Sequence, residues 1–137
     1  MGFQDLPLDW QDRSVADPQL TADIVDLFVT EEGRREGTLY LLFCDGQNRV
    51  RAPMAIGNIG AKRPEEFGLL LRPLFELVRQ TRPEAGLLMA LARTGLPDVT
   101  PVDRAWADAA RRLCEQVAMP LLGFYIAVPE RVVDAMG

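Results

Sequence analysis

Histidine is absent from this chain of 137 residues, and lysine occurs once, at Lys62. Without an imidazole, the chain lacks the side chain that most often activates a nucleophile or holds a metal ion. Only two cysteines are present, Cys44 and Cys114, and their spacing forms no metal-binding or disulfide framework. We therefore expect both to be buried free thiols, and Cys44 has no histidine to activate it.

Long apolar runs are also missing, because none reaches the roughly 18 residues that cross a bilayer. The residues after Met1 lack the basic and apolar stretches of a secretory signal, so we expect a cytoplasmic protein with no membrane partner. A net charge of −5 argues against nucleic-acid binding, which normally needs a basic surface. The remaining composition, 48% hydrophobic and 26% charged, is typical of one soluble globular domain.

Four stretches have the composition of β-strands: Thr38–Cys44, Arg49–Ile56, Leu87–Ala92 and Leu121–Val128. The first and third are nearly unbroken apolar runs, which favours strands covered on both faces. The second alternates, with Val50, Ala52, Met54 and Ile56 on one side, and predicts a half-buried strand in a hairpin with the first. Pro53 cannot donate to a strand ladder, so we place it at an edge or a bulge.

Three amphipathic helices are predicted around these strands. The first begins at Asp17-Pro18, the second runs from Pro64 to about Arg82, and the third is capped by Thr100. Pro73 lies inside the second helical pattern, where a proline bends or breaks a helix, so we expect a bend at residues 69–73.

The predicted order of elements is α-β-β-α-β-α-β, with a polar loop at residues 31–37 and a turn at residues 131–136. Strands that alternate with helices indicate an α/β fold, with a mixed central sheet and helices packed on it. We expect one domain over residues 17–137, preceded by an N-terminal arm at residues 1–16. The arm either packs Trp10 onto the domain or is a tail that binds a partner.

The stretch from Ala90 to Asp103 joins a buried strand to a helix through a turn rich in glycine and proline. It resembles the zinc-site segment of JAB/MPN-type metal-dependent hydrolases, the RadC-like branch in particular. That family has His-x-His at the strand end, then Pro-Ser-Gly, and Ser-x-x-Asp at the helix start. Aligned without a gap, the two histidines fall on Ala90 and Ala92, and the Ser and Asp fall on Thr100 and Asp103. The family's Pro-Ser-Gly falls on Arg93, Thr94 and Gly95. The upstream hairpin resembles the opening hairpin of RadC-like domains at Phe43, Asp45, Asn48, Arg49 and Val50.

The resemblance implies a JAB/MPN fold, which is cytidine-deaminase-like, and a lost metal site. In the family the two histidines and the aspartate hold zinc, and an upstream glutamate acts through the metal-bound water. The nearest counterpart of that glutamate is Glu36, with Glu32 as the other candidate. Alanine offers no lone pair, and one carboxylate cannot hold zinc, so we expect no metal and no other cofactor.

The matching residues also have plain structural explanations. Asp103, in the first turn of a helix, interacts favourably with the helix dipole, and Thr100 is a suitable N-cap. The leading hypothesis is therefore a catalytically inactive, metal-free domain that acts as a protein-interaction or regulatory module.

Two modes of interaction and one enzymatic alternative follow. In the first mode an unidentified protein or peptide binds as an added strand, and in the second the chain forms a homodimer through an exposed helix or the arm. The alternative is a metal-independent hydrolase in which Asp103 works with Glu36 or Glu32 near Arg93. Paired carboxylates can do acid–base chemistry when their pKa values are pushed apart.

Overall fold

The structure is a computed structural model that describes residues 9–15, 18–59 and 62–136. Its helices are α1 (Pro18–Phe28), α2 (Glu31–Glu36), α3 (Pro64–Thr81) and α4 (Pro101–Gln116). Its strands are β1 (Thr38–Cys44), β2 (Val50–Ile56), β3 (Gly86–Ala92), β4 (Leu121–Ala127) and β5 (Val132–Asp134). No helix in the described ranges is long and apolar enough to cross a membrane.

The five strands form one mixed sheet in the order β2-β1-β3-β4-β5. Strands β3 and β4 are parallel and are connected through α4, whereas the other neighbours are antiparallel. Every residue of β1 and β3 is buried, which confirms the prediction that these two apolar runs are central strands. The predicted α/β class with a mixed central sheet is also confirmed.

The sheet has a separate apolar core on each face, because successive side chains of a strand point to opposite sides. On one face Leu41 and Met89 lie in the cluster that includes Phe75 of α3 and Trp106 of α4. On the other face the alternate strand residues pack with α1, whose Ile24 is fully buried. The helices are thus held to the sheet by their apolar stripes, with α3 and α4 on one side and α1 on the other.

Strand β2 lies at the edge of the sheet, as Pro53 predicts, but it is not half-buried. Only Val50 is buried, and Ala52 and Met54, which were expected on the inner side, are exposed. The alternation in the sequence is real, since Met54 pairs with Leu41 of the covered face. The half-buried prediction is wrong because an edge strand is covered only as far as the neighbouring helix reaches.

Residues 31–36, expected in a polar loop, form the short helix α2. Thr30 caps it by accepting a hydrogen bond from the Gly33 N–H at 2.9 Å, and Gly37, with φ 76°, ends it in the left-handed conformation. The expected C-terminal turn instead contains strand β5, which pairs with the end of β4. Both elements are too short for the periodicity of their side chains to reveal them.

Helix α3 continues through Pro73 without a break. Proline removes the N–H that would bond to the carbonyl of Leu69. Leu69 is 82% exposed, so water can bind that carbonyl in place of the missing donor. An exposed position of this kind explains why the helix is not broken there.

The described part of the N-terminal arm packs onto the domain. The rings of Trp10 and Phe28 meet edge to face with centroids 5.9 Å apart, and Val15 is buried. The Val15 N–H donates to the Asn48 carbonyl at 2.8 Å, which ties the segment to the β1–β2 turn. The helix-capping prediction for Asp17 lies outside the described residues, although α1 does begin at Pro18.

Candidate functional site at the end of strand β3

The site lies where the parallel strands β3 and β4 end. Ala92 pairs with Ala127 of β4 on one side and with Thr38 of β1 on the other. The next residue, Arg93, donates its backbone N–H to the Ala127 carbonyl at 3.0 Å. In α/β sheets the loops at the carboxyl ends of parallel strands are the usual place for a ligand.

A capping box fixes the start of helix α4 beside these strand ends. The Thr100 hydroxyl accepts a hydrogen bond from the Asp103 N–H at 3.1 Å, and the Asp103 carboxylate accepts one from the Thr100 N–H at 2.9 Å. Two N–H groups that the helix itself leaves unpaired are satisfied in this way. The predicted capping role of Thr100 is therefore confirmed, and Asp103 takes part in it.

The guanidinium of Arg93 fills the space between the strand end and the helix. Its Nε donates to Asp103 Oδ1 at 3.0 Å and its Nη2 to Oδ2 at 2.7 Å, which is the bidentate geometry of a strong Arg–carboxylate pair. The remaining donors bind the carbonyls of Thr94, Leu96 and Asp98 at 2.9, 3.0 and 2.9 Å. All five N–H donors of the guanidinium are thus used.

The ion pair is closed to solvent on the side of Asp103, whose side chain is 1% exposed, compared with 22% for Arg93. Burial alone would raise the pKa of the Asp103 carboxyl. The hydrogen bonds from Arg93 and from the Thr100 N–H, with the charge of Arg93, outweigh burial and lower that pKa below its ordinary value of 3.8. Asp103 is therefore an ionised group whose negative charge is already neutralised.

The residues at this corner do not fit a zinc ion. The methyl groups of Ala90 and Ala92 are fully buried in the apolar cluster that packs with α1. Asp103 already binds Arg93 through both of its oxygens. No group of three or more His, Cys, Asp or Glu side chains within the described ranges could hold a metal ion. Arg93, a cationic side chain of the same chain, occupies both oxygens of the Asp103 carboxylate.

The glutamate candidates lie on α2, near the same end of the sheet. Glu36 is two residues before Thr38, which pairs with Ala92, and both Glu36 and Glu32 are exposed. Among the described residues, no hydrogen bond or ion pair joins either glutamate to Asp103. The structure therefore brings Asp103, Thr100 and Arg93 together but does not show Glu36 acting with them.

Arg93 was placed near Asp103 by the sequence analysis, but the ion pair between them was not predicted. Its position corresponds to a proline in the resembling family, and an arginine ten residues before an aspartate does not by itself indicate a contact. One signal in the sequence could have indicated this contact. Asp103 is aligned with a metal ligand of the resembling family, and a buried carboxylate that binds no metal needs another cation. Arg93 is the nearest arginine that follows the strand.

A pocket of about 520 Å³ lies between β2 and the last turns of α3. Its apolar walls include Phe43, Met54 and Val78, and Cys44 also borders it. Burial, with the nearby charge of Asp45, raises the pKa of the Cys44 thiol to about 12. The predicted buried thiol is confirmed for Cys44 and for Cys114, so neither cysteine is a ready nucleophile.

A scan of protein-family models finds no match to this chain, and a search of curated proteins finds none either.

Proposed function

We propose that this chain is a metal-free, catalytically inactive RadC-like domain that acts as a protein-interaction or regulatory module. The observation that carries the proposal is the bidentate ion pair between Arg93 and Asp103, at 2.7 and 3.0 Å. The proposal also rests on the alignment of Asp103 with the metal-binding aspartate of the resembling family. We further propose that it works in the cytoplasm, as expected from the sequence.

A guanidinium neutralises Asp103 but cannot replace zinc chemically. It has no open coordination position and cannot lower the pKa of a bound water, which is how a catalytic zinc ion makes its nucleophile. All donors of Arg93 are engaged with Asp103 and with the carbonyls of the following loop. The ion pair supports the position of that loop, and among the described residues it leaves Asp103 and Arg93 with no free group to activate a water.

The contacts of Asp103 favour the inactive module over a metal-independent hydrolase. A general base needs a pKa near the working pH and access to a substrate proton. The pKa of Asp103 is shifted downward, and its side chain is 1% exposed. No contact within the described residues gives Asp103 a second carboxylate partner.

The two edges of the sheet are poor places for an added strand. Strand β2 contains Pro53, which lacks a donor, and β5 has only three residues. Proline and short length are both features that protect sheet edges from pairing. The exposed apolar side of α3 is a better binding surface, because three leucines on it are more than half exposed.

Metal analysis of the purified protein, together with a zinc titration, tests this proposal. We expect no stoichiometric metal and no heat of zinc binding for the native chain. The control variant Arg104→Met removes an exposed arginine of α4. Like the native chain, it is expected to contain no stoichiometric metal and to show no heat of zinc binding. Stoichiometric zinc held by the native chain, or hydrolysis of a peptide or isopeptide bond that Asp103→Asn abolishes, would overturn the proposal.

A further inference from the structure

The pocket between strand β2 and the end of helix α3 lies at the opposite end of the sheet from the Arg93–Asp103 pair. It borders Cys44, the last residue of β1, whereas the ion pair follows Ala92, the last residue of β3. Strands β1 and β3 are antiparallel, so these two strand ends lie at opposite edges of the sheet. The pocket is therefore separate from the candidate site at Asp103.

The interior of the pocket is apolar. Its walls include Phe43 of β1, Ala52 and Met54 of β2, and Val78 of α3. Phe43 pairs with Ala52 across the two strands, so both side chains point to the same face of the sheet. The volume of about 520 Å³ lies within the range of roughly 300–1,000 Å³ that is usual for ligand pockets. This space is large enough for a small organic molecule with an apolar side group.

Two opposite charges border the pocket without an ion-pair partner in the part of the chain that the structure describes. They belong to Arg82 and Glu84, whose side chains are both exposed at its mouth. The other two charged residues there already bind each other, because Arg51 Nε donates to Asp45 Oδ2 at 3.1 Å. The mouth thus offers one free cation and one free anion, and a ligand with a single charge complements only one of them.

The turn from Arg82 to Ala85 holds these two charges beside the pocket. The Arg82 N–H donates to the Val78 carbonyl at 2.7 Å, where α3 ends, and the Ala85 N–H donates to the Arg82 carbonyl at 2.9 Å. The stem of Glu84 lies over Gly46, where an added Cβ would come within 3.0 Å of Glu84 Cγ. The free cation and the free anion are therefore carried by a hydrogen-bonded turn that packs against the β1–β2 turn.

We propose that this pocket binds an apolar α-amino acid in its zwitterionic form. The side chain of the amino acid fills the apolar interior, its carboxylate pairs with the Arg82 guanidinium, and its ammonium group pairs with the Glu84 carboxylate. Arg82 and Glu84 are two residues apart on one turn, which suits a ligand that carries both charges on a single carbon atom. Burial of the apolar side chain and two charge-assisted hydrogen bonds provide the binding free energy.

This inference goes beyond the proposed inactive module. It uses none of the residues around Asp103, and it assigns to the chain a small-molecule ligand in addition to a protein partner.

Isothermal titration calorimetry with L-leucine and with L-phenylalanine tests the proposal. We expect saturable binding of at least one of them, with one molecule per chain. The matched analogues 4-methylpentanoate, which lacks the amino group of leucine, and 3-methylbutylamine, which lacks its carboxylate, are expected to bind about tenfold or more weakly, as for the loss of a hydrogen bond to a charged group. Absence of saturable binding for both amino acids overturns the inference, and so does an analogue that binds as tightly as leucine.

Two charge-removing variants test the roles given to the turn. Arg82→Gln and Glu84→Gln are each expected to weaken amino-acid binding by about tenfold. Arg104→Gln and Glu130→Gln remove exposed charges outside the pocket and are expected to leave the affinity unchanged. All four positions are exposed, so circular dichroism is expected to show native folding. Equal affinities of the two pocket variants and the two controls contradict the assigned roles.

A filled pocket tests where the apolar side chain binds. Ala52→Phe adds a ring at an exposed position of the pocket wall and is expected to abolish binding. Ala55→Phe is the matched control, because Ala55 is also exposed on β2 but pairs with Tyr40, whose side chain lies on the face that packs with α1. Undiminished binding by Ala52→Phe places the ligand elsewhere and overturns the inference.

The two proposals fail separately. A zinc-free, inactive protein that binds neither amino acid overturns the pocket assignment and leaves the inactive module standing. A protein that binds leucine and also contains stoichiometric zinc overturns the inactive module and leaves the pocket assignment standing.

Discussion

Arg93 binds Asp103 across a separation of ten residues and thereby joins the end of strand β3 to the first turn of helix α4. The pair is bidentate, and the carboxylate is almost fully buried. The same guanidinium holds three carbonyls of the intervening loop. One side chain therefore fixes a strand, a loop and a helix relative to one another.

Replacement of Arg93 by methionine is expected to destabilise the protein by about 3 kcal/mol, because it leaves the Asp103 charge buried without its partner. Urea unfolding measures the change in the free energy of unfolding. The matched control Arg104→Met removes an exposed arginine of the same region and is expected to change stability by less than about 0.5 kcal/mol. Equal effects of the two substitutions would show that the ion pair is not important for stability.

Stability is expected to fall in acid because Asp103 and Asp45 both ionise more readily in the folded protein. For Asp45, burial raises the pKa, but hydrogen bonds from Arg49, Arg51 and Gln47 outweigh it, and its pKa is about 2. A carboxyl group whose pKa is lower in the folded protein than in the unfolded chain stabilises the fold fully when the pH is above its unfolded pKa of about 4. That stabilisation is lost as the pH falls through the pKa of the folded protein. Urea unfolding between about pH 5 and pH 2 measures this loss. Asp103→Asn is expected to lower stability at neutral pH and to make the acid dependence shallower, and an unchanged slope would contradict the lowered pKa.

Thr100→Val is expected to cost about 1 kcal/mol, because it removes the hydroxyl that accepts the Asp103 N–H while keeping the shape of the side chain. Thermal unfolding provides the measurement. Thr100→Ser keeps the hydroxyl and is expected to remain close to the native stability. Thr81→Val, at the exposed end of α3, is the second control and is expected to have little effect.

Ala92→His is expected to destabilise the fold by about 1–3 kcal/mol, because the position is fully buried against the core that packs with α1. Histidines at positions 90 and 92 together are expected not to produce stoichiometric zinc binding, because both side chains lie on the face that packs with α1, away from α4, and Arg93 occupies Asp103. Zinc titration of Ala90→His/Ala92→His, with and without Arg93→Met, measures this. Tight zinc binding in the variant that keeps Arg93 would contradict the role assigned to the ion pair.

Cys44 and Cys114 are expected to resist alkylation in the folded protein. Both thiols are buried, and their pKa values are raised to about 12, chiefly by burial. The thiolate is the reactive form, so reaction with a thiol reagent at neutral pH requires unfolding. Mass spectrometry of protein treated with iodoacetamide, with and without urea, measures the labelling. Rapid labelling of either cysteine under native conditions would show a more open core.

The apolar runs and the turn chemistry predicted most of the fold. Strands β1 and β3 are evident from their nearly unbroken apolar runs, all of whose residues are buried, and α4 is evident because Thr100 and Pro101 mark its start. The sequence did not reveal how far each face is covered. Leu70 and Val102 fit helical stripes in the pattern, yet they are 57% and 63% exposed, since burial depends on which neighbour lies opposite.

The start of helix α4 was predicted from the sequence, but the side chain that pairs with Asp103 was not. Thr100 was expected as the N-cap of α4 and Asp103 in its first turn, and the structure confirms both positions and adds the capping box between them. The two alanines, aligned with the histidines of the resembling family, led to the expectation of no metal. The partner of the remaining carboxylate depends on how the loop from Thr94 to Val99 folds back, which no local pattern in the sequence encodes.

The central position of β1 and β3 in the sheet also determines which parts of the protein unfold locally. Each has a paired strand on both sides, so their amide protons are expected to exchange with solvent only through global unfolding. Strand β2 has a neighbour on one side only and little cover, so its amides are expected to exchange through local fraying. The outer strand of the hairpin can therefore detach and re-pair while the rest of the protein keeps its native structure.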